Sequence, residues 1–421
     1  MKVEDPRNLR SIGDSTSIRD IWDLPSSQIM KFSFSVRVWS KLDRARTGTL
    51  NLGTGKPLAD TPCLLLTTRK GLPAFITPEL LDEIYPAANL LQISPIHFLE
   101  TPPTSLISGV GGIHLLVGLP EYGLAAFARD SLMCEANGQG TTKLGAAFET
   151  SGGRRLVGPS KYMELVNALK PDFWGSLPDE VPAWVSTKRN RMSVDRTLNW
   201  LDHCLSLHSV GAIFGTVVGG VDLELRMHSA QETAKRRVSG FSLGGFGLGE
   251  SKEERAALLE VAIERLPAEL PRHVSGLGMP EEVLEAVSAG CDILDSTYPH
   301  TLTTGGYAMT FPLSIQDEHD SEKLSIEECA TLGSDSSKIN LRSMSYRSDT
   351  SPLLKSCECH ACCKYSRAYI HHLLNTHEML AQTLLDIHNV THYLRFFAAI
   401  REAISQNSFD QYKSWFVSRR R

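Results

Sequence analysis

Residues 211–245 read GAIFGTVVGGVDLELRMHSAQETAKRRVSGFSLGG. A short apolar run ends in Gly219-Gly220. A helix-patterned segment follows (SAQETAKRRV, 229–238), and a second apolar run ends in Gly244-Gly245. Apolar runs of this length suit strands buried on both faces, and a helix between two of them is the crossover that a parallel pair needs. The rhythm continues in both directions. PDFWGSLP (171–178) precedes a helical stretch at about 191–206. GFSLGG (240–245) precedes SKEERAALLEVAIERL, where Ser251 and Glu254 fit a capping box. RHVSGLG (272–278) precedes PEEVLEAVSAG, with Pro280 at the first helical position. CDILDSTYP (291–299) closes the series, and CLLLTT (63–68), LLQIS (90–94) and GLAAFA (123–128) supply earlier runs. About eight strands alternating with helices predict an α/β protein, a closed (β/α)8 TIM barrel. A doubly wound open sheet is the second choice. It is disfavoured because no G-x-G-x-x-G opens an early helix.

The chain has 421 residues, a net charge of -5 and nine cysteines. The length allows a large core in one or two domains. The charge argues against a strongly basic nucleic-acid binder, though not against a local basic patch. Cys63, Cys134, Cys204, Cys291 and Cys329 are scattered and read as small buried apolar residues. Residues 1–29 are polar and aperiodic, without the apolar run of a signal peptide, and read as a disordered extension. Order is expected from Met30, with alternation from Phe32 to Trp39 marking a strand. An acidic loop insert is expected at 312–337. No stretch is apolar enough to span a membrane, so the cytoplasm is the expected compartment.

The remaining four cysteines lie in CECHACC, residues 357–363. Cys357, Cys359 and Cys362 form C-x-C-x2-C, and three thiolates on one turn can converge on a tetrahedral Zn2+. The fourth ligand is open among His371, His372, His377, His388 and His392, on a long helical segment expected from near Lys364. Four ligands leave no open position, which makes the site structural.

Here the sequence resembles the tRNA-guanine transglycosylase family. That family's zinc signature, C-x-C-x2-C and then a histidine after twenty-five residues, selects His388. YSRAYIHHLL (365–374), SKINLR (337–342) and YRSDTSPL (346–353) are also similar to it. So are ARTGTLNL (45–52), GLPAFITPELL (71–81), GGIHLLVG (111–118), GTVVGGVDLELRMHSA (215–230), GFSLGGFGLGES (240–251) and GLGMPEEVLEAVSAGCDILDSTYP (276–299). The resemblance implies a (β/α)8 barrel over 30–344 and a zinc-binding subdomain with C-terminal helices over 345–421. It also implies an enzyme that exchanges an encoded guanine of a tRNA anticodon for a modified base, queuine in eukaryotes.

The family's nucleophile lies in a motif resembling G-x-D-x-x-D-C-x-x-P-T-R, and Asp295 matches it by position. The company of that residue is missing. The motif's arginine reads Thr301, and a second arginine three residues later reads Thr304, so charge-assisted contacts to the anticodon are lost. The D-S-G-G-[FY]-Q motif is reduced to Asp130-Ser131. The glutamine that reads the base edge is Val218, and the acid of F-D-E corresponds to Asp179 with a one-residue shift. Gly244, Gly245 and Glu250 survive, which also suits tight backbone approach and a helix cap.

A kept scaffold with lost substrate-reading groups implies a non-catalytic paralogue. It would form a heterodimer with the catalytic subunit of queuine tRNA-ribosyltransferase, use the surface around the zinc subdomain, and share a tRNA with it. A two-fold interface would also permit a homodimer when the chain is alone. Peripheral association with the mitochondrial outer membrane is a further expectation. Phosphate contacts are assigned to Lys188, Arg189, Arg191 and Arg196 or to Arg419–Arg421, with a solvated face as the plain alternative. The competing functions are an active transglycosylase using Asp295, a queuine-binding or salvage protein, and a queuine-nucleoside hydrolase.

Overall fold

The computed structural model describes residues 32–53, 55–85, 88, 90–130, 135–136, 140–150, 152–208, 210–314 and 337–419. The N-terminal extension, most of the acidic insert, Ser131, Cys134, Cys329, Arg420 and Arg421 lie outside the described residues.

Three antiparallel strands come first: β1 (Ser33–Trp39), β2 (Arg46–Asn51) and β3 (Ala59–Thr61). Eight parallel strands then close into a barrel: β4 (Cys63–Thr67), β5 (Leu90–Ile93), β6 (Gly123–Ala126), β10 (Phe173–Gly175), β11 (Ala212–Val217), β12 (Gly240–Leu243), β13 (Arg272–Val274) and β14 (Ile293–Asp295). They pair in sequence order and β14 returns to β4, with Asp295 opposite Leu65. All eight apolar runs read from the sequence are barrel strands. A small antiparallel sheet, β7 (Glu135–Ala136), β8 (Ala146–Thr150) and β9 (Gly153–Val157), is inserted between β6 and its crossover helix Pro159–Leu169.

Inward side chains fill the lower barrel, among them Cys63, Leu65, Leu90, Phe127, Phe173, Phe214 and Ile293. The first sheet plugs this end. Phe32 packs its ring 5.9 Å from Phe173 and 5.8 Å from Phe214. Below the plug, Arg46 and Asp292 form an ion pair with both side chains fully buried. The described single cysteines Cys63, Cys204 and Cys291 are buried, as expected for small apolar residues.

Two helices begin earlier than expected. The helix placed at 191–206 spans Thr187–Ser206, because Ser186 caps it by accepting from Arg189 N at 3.3 Å. The helix after β11 spans Leu223–Ala234, because Asp222 accepts from Leu225 N at 3.0 Å. The capping box at Ser251 and Glu254 and the proline start at Pro280 are both present. The single helix expected from near Lys364 is instead three: His360–Lys364, Arg367–Asn375 and Met379–Ser405. Ser366 starts the second with its own cap, and His377 at φ 57° turns the chain into the third.

Candidate functional site: a metal cluster and a barrel-mouth cavity

The turn at 357–362 and the helix Met379–Ser405 bring Cys357, Cys359, Cys362 and His388 together. All four are buried, and their ligand atoms lie within 4.8 Å of one another. Among the described residues this is the group of cysteine, histidine and carboxylate side chains placed to hold a metal ion. His388 Nδ1 faces the thiols, 3.3 Å from Cys362 Sγ and 3.7 Å from Cys359 Sγ. Its other nitrogen is 2.8 Å from Met309 O, an outer contact that fixes the ring with Nδ1 toward the sulfurs. Three soft sulfurs and one imidazole at this spacing fit a tetrahedral divalent ion. The other histidines are elsewhere. His371 lies against Leu341 O and His392 against Phe311 O, while His372 and His377 are exposed. Cys363 is exposed, with its thiol directed to Glu358 O.

The ligand helix also anchors the strand that follows the barrel. Asn389 accepts from Met309 N at 2.9 Å and donates to Tyr307 O at 2.9 Å and Thr303 at 3.0 Å. One turn on, Tyr393 donates to Gly278 O at 2.6 Å. Gly278 belongs to the wall of the second feature.

At the C-terminal end of the barrel strands lies a cavity of about 300 Å3, lined by Thr67, Gln92, Arg129, Asp130, Asp295 and the β12 and β13 loops. This is the face where barrel enzymes place their chemistry. Asp295 accepts from Gln92 Nε2 and from Gly276 N, both at 3.2 Å. Gly276 has φ 83°, and a Cβ there would meet Phe246 O at 2.2 Å, so the turn that offers this N–H requires glycine. Burial pushes the Asp295 carboxyl up to about 6, against the lowering effect of the Gln92, Arg129 and Gly276 contacts.

Arg129 reaches across the mouth, donating to Phe246 O at 2.8 Å and approaching Glu180 at 3.5 Å. Glu180 accepts from Gly245 N at 2.5 Å. Arg226 is wholly buried beneath this loop. It donates to Gly220 O at 2.8 Å and Gly244 O at 3.1 Å, and lies 4.4 Å over the Phe246 ring.

The expected substrate-reading positions divide sharply. Thr301 and Thr304 sit on the exposed side of helix Tyr298–Gly305, their hydroxyls bonded back to Thr297 O and His300 O. Val218 does not line the cavity and is buried with Val194, Leu198 and Leu225. Asp179 is gripped by Arg189 at 2.7 Å and Arg196 at 3.1 Å, so its neighbour Glu180 is the acid at the barrel mouth. The same clamp removes Arg189 and Arg196 from the set of free phosphate contacts. Glu250 accepts from Gly247 N, Leu248 N and Arg255, holding the β12 loop shut. Gln92, Arg129 and Arg226 were not singled out from the sequence. A glutamine inside the apolar run LLQIS was a readable signal, because a polar residue in a buried strand needs a partner.

No helix among the described residues is long and apolar enough to cross a membrane. Residues 41–421 match the family model described as queuine tRNA-ribosyltransferase. The chain is 36% identical over 393 residues to the human "Queuine tRNA-ribosyltransferase accessory subunit 2", covering 86% of this chain and 94% of the human one. The proteins of that name from Ixodes scapularis and Trichoplax adhaerens are 34% and 31% identical. Those alignments cover 86% and 91% of this chain, and 95% and 99% of theirs.

Proposed function

We propose that this chain, which belongs to the queuine tRNA-ribosyltransferase family, is the non-catalytic subunit of that enzyme. It pairs with a catalytic subunit and supports exchange of guanine for queuine at the wobble position of tRNAs with GUN anticodons. The observation that carries this reading is the near full-length likeness to accessory subunits, joined to an Asp295 cavity without the two arginines at 301 and 304. Co-expression with the catalytic subunit tests it. The isolated chain should show no exchange of labelled guanine into tRNA, and the pair should be active. Exchange by the isolated chain would favour the active-enzyme reading instead. Native mass measurement of the chain alone distinguishes a monomer from a homodimer.

In this reading Cys357, Cys359, Cys362 and His388 hold one zinc ion. Its four protein ligands leave it a structural role, clamping the turn to the helix. The pair works in the cytoplasm, and cell fractionation would detect any attachment to the mitochondrial outer membrane.

Asp295→Asn separates a spectator from a nucleophile. The complex should keep its exchange rate, where loss of a nucleophile would abolish it. Stability should rise as well. A carboxyl raised from the usual 3.8 to about 6 favours the protonated form in the folded state. It is protonated in both states below about pH 4, and above about pH 6 ionisation costs up to about 3 kcal/mol. The amide carries no such cost, and Gln92 Oε1, which accepts nothing among the described residues, can turn to receive it. Urea unfolding should show a gain at pH 7.5 that disappears at pH 4.

A further inference from the structure

The loop leaving β10 carries an indole into solvent at the mouth of the barrel. Trp184 is 76% exposed. The loop beneath it is fixed, because Ala183 N donates to Leu248 O at 3.0 Å, and Leu248 lines the Asp295 cavity. Gly249, at φ 102°, backs the ring so closely that a Cβ there would lie 2.7 Å from Trp184 Cζ3. One edge of the indole is thus seated while most of its surface faces water. The helix that follows starts at Thr187 and exposes Lys188 and Arg191. Neither has an ion-pair partner among the described residues, in contrast to Arg189 and Arg196, which are spent on Asp179.

We propose that Trp184 is a stacking platform for an unpaired base of a single-stranded RNA stretch, with Lys188 and Arg191 taking the adjoining phosphates. The assignment rests on the accessory-subunit reading, which brings a tRNA to this protein. An indole offers a flat face to any base, and cations beside it track the backbone, the combination by which single strands are held without sequence readout. A protein partner fits the patch less well. The segment Ser186-Thr187-Lys188-Arg189-Asn190-Arg191 beside the ring is polar and basic, whereas the centre of a protein interface is apolar and poor in charge.

The test uses the complex with the catalytic subunit and a fluorescein-labelled tRNA, read by anisotropy. Trp184→Ala and Trp184→Leu should weaken binding by about 5- to 100-fold, the range for losing one stacked base, while Trp184→Phe retains most of it. Lys188→Gln with Arg191→Gln should lower the salt dependence of log K by about 1.4, as expected for two phosphates on a single strand. Wild-type affinity in Trp184→Leu overturns the platform and leaves the accessory reading standing, provided the complex still forms and exchanges guanine. Loss of the catalytic subunit on purification of Trp184→Leu also overturns it, by making the indole a protein contact. A wild-type chain that neither pairs nor supports exchange overturns the accessory reading and the platform together.

Discussion

Cys359→Ala should empty the metal site and detach the catalytic subunit. Metal analysis of the purified protein is expected to fall from one zinc per chain to a small fraction of that. The thermal midpoint should drop by about 10 °C or more, and co-purification with the partner should be lost. The reason is where the cluster sits. Cys357, Cys359 and Cys362 lie on a short turn with little regular structure, and their tie to the rest of the chain runs through His388. That histidine shares its helix with Asn389 and Tyr393, which hold the strand after the barrel and the Gly278 wall of the cavity. Structural zinc in small fingers contributes about 10–16 kcal/mol of apparent folding free energy. Here a large barrel core remains when the ion leaves, so a loss on the order of 5 kcal/mol is the expected scale. Binding requires thiolates, so the wild-type site should lose its metal as pH falls, and EDTA at neutral pH should reproduce the mutant. A Cys359→Ala protein that keeps both full metal content and its partner would sink the assignment of these ligands.

The barrel was legible because its strands announce themselves. GAIFGTVVGG and its seven counterparts are short, apolar and closed by glycine or polar residues, and each became a parallel strand. The metal cluster was legible because thiols three residues apart on one turn have few other uses, while the choice of His388 needed the family spacing. Spacing by itself left His371 and His392 open, and only packing shows them turned to Leu341 O and Phe311 O. The cavity was harder to read. Arg226 is polar, sits in a helix and looks like part of a solvated face, yet it is completely buried because three loop carbonyls and the Phe246 ring surround it. Val218 was read as a lost base-edge contact, but it belongs to an apolar cluster outside the cavity. Asp179 and Glu180 are adjacent in sequence, and only the arginine clamp on the first shows that the second reaches the barrel mouth. Helix starts were missed where a lone Ser186 or Asp222 cap outweighed the apolar period.

The two aspartates of the Gly290–Asp295 segment give the second large effect, because they work in opposite directions. Asp295 tolerates its amide. Asp292→Ala should cost about 3–5 kcal/mol, the scale for removing one partner of a buried ion pair. Asp292 accepts from Arg46 Nε at 2.8 Å and from its second nitrogen at 2.6 Å, and from Arg272 N at 2.8 Å. Arg46 is itself enclosed, donating to Ala268 O and Leu270 O and lying 5.2 Å from the Phe34 ring and 5.1 Å from the Trp39 ring. Alanine would leave that guanidinium charged at the base of the barrel, where β2 of the plug meets β14, with no counter-charge and little access to water. Asp292→Asn keeps a shape and one acceptor, so it should cost less than alanine but still weaken the pair. Urea midpoints for the three proteins should order wild type, then Asp292→Asn, then Asp292→Ala, with Asp295→Asn above wild type at pH 7.5. A cost below about 1 kcal/mol for Asp292→Ala would mean that water enters beneath the plug and solvates Arg46. The first aspartate would then be dispensable for holding the strand that presents the second.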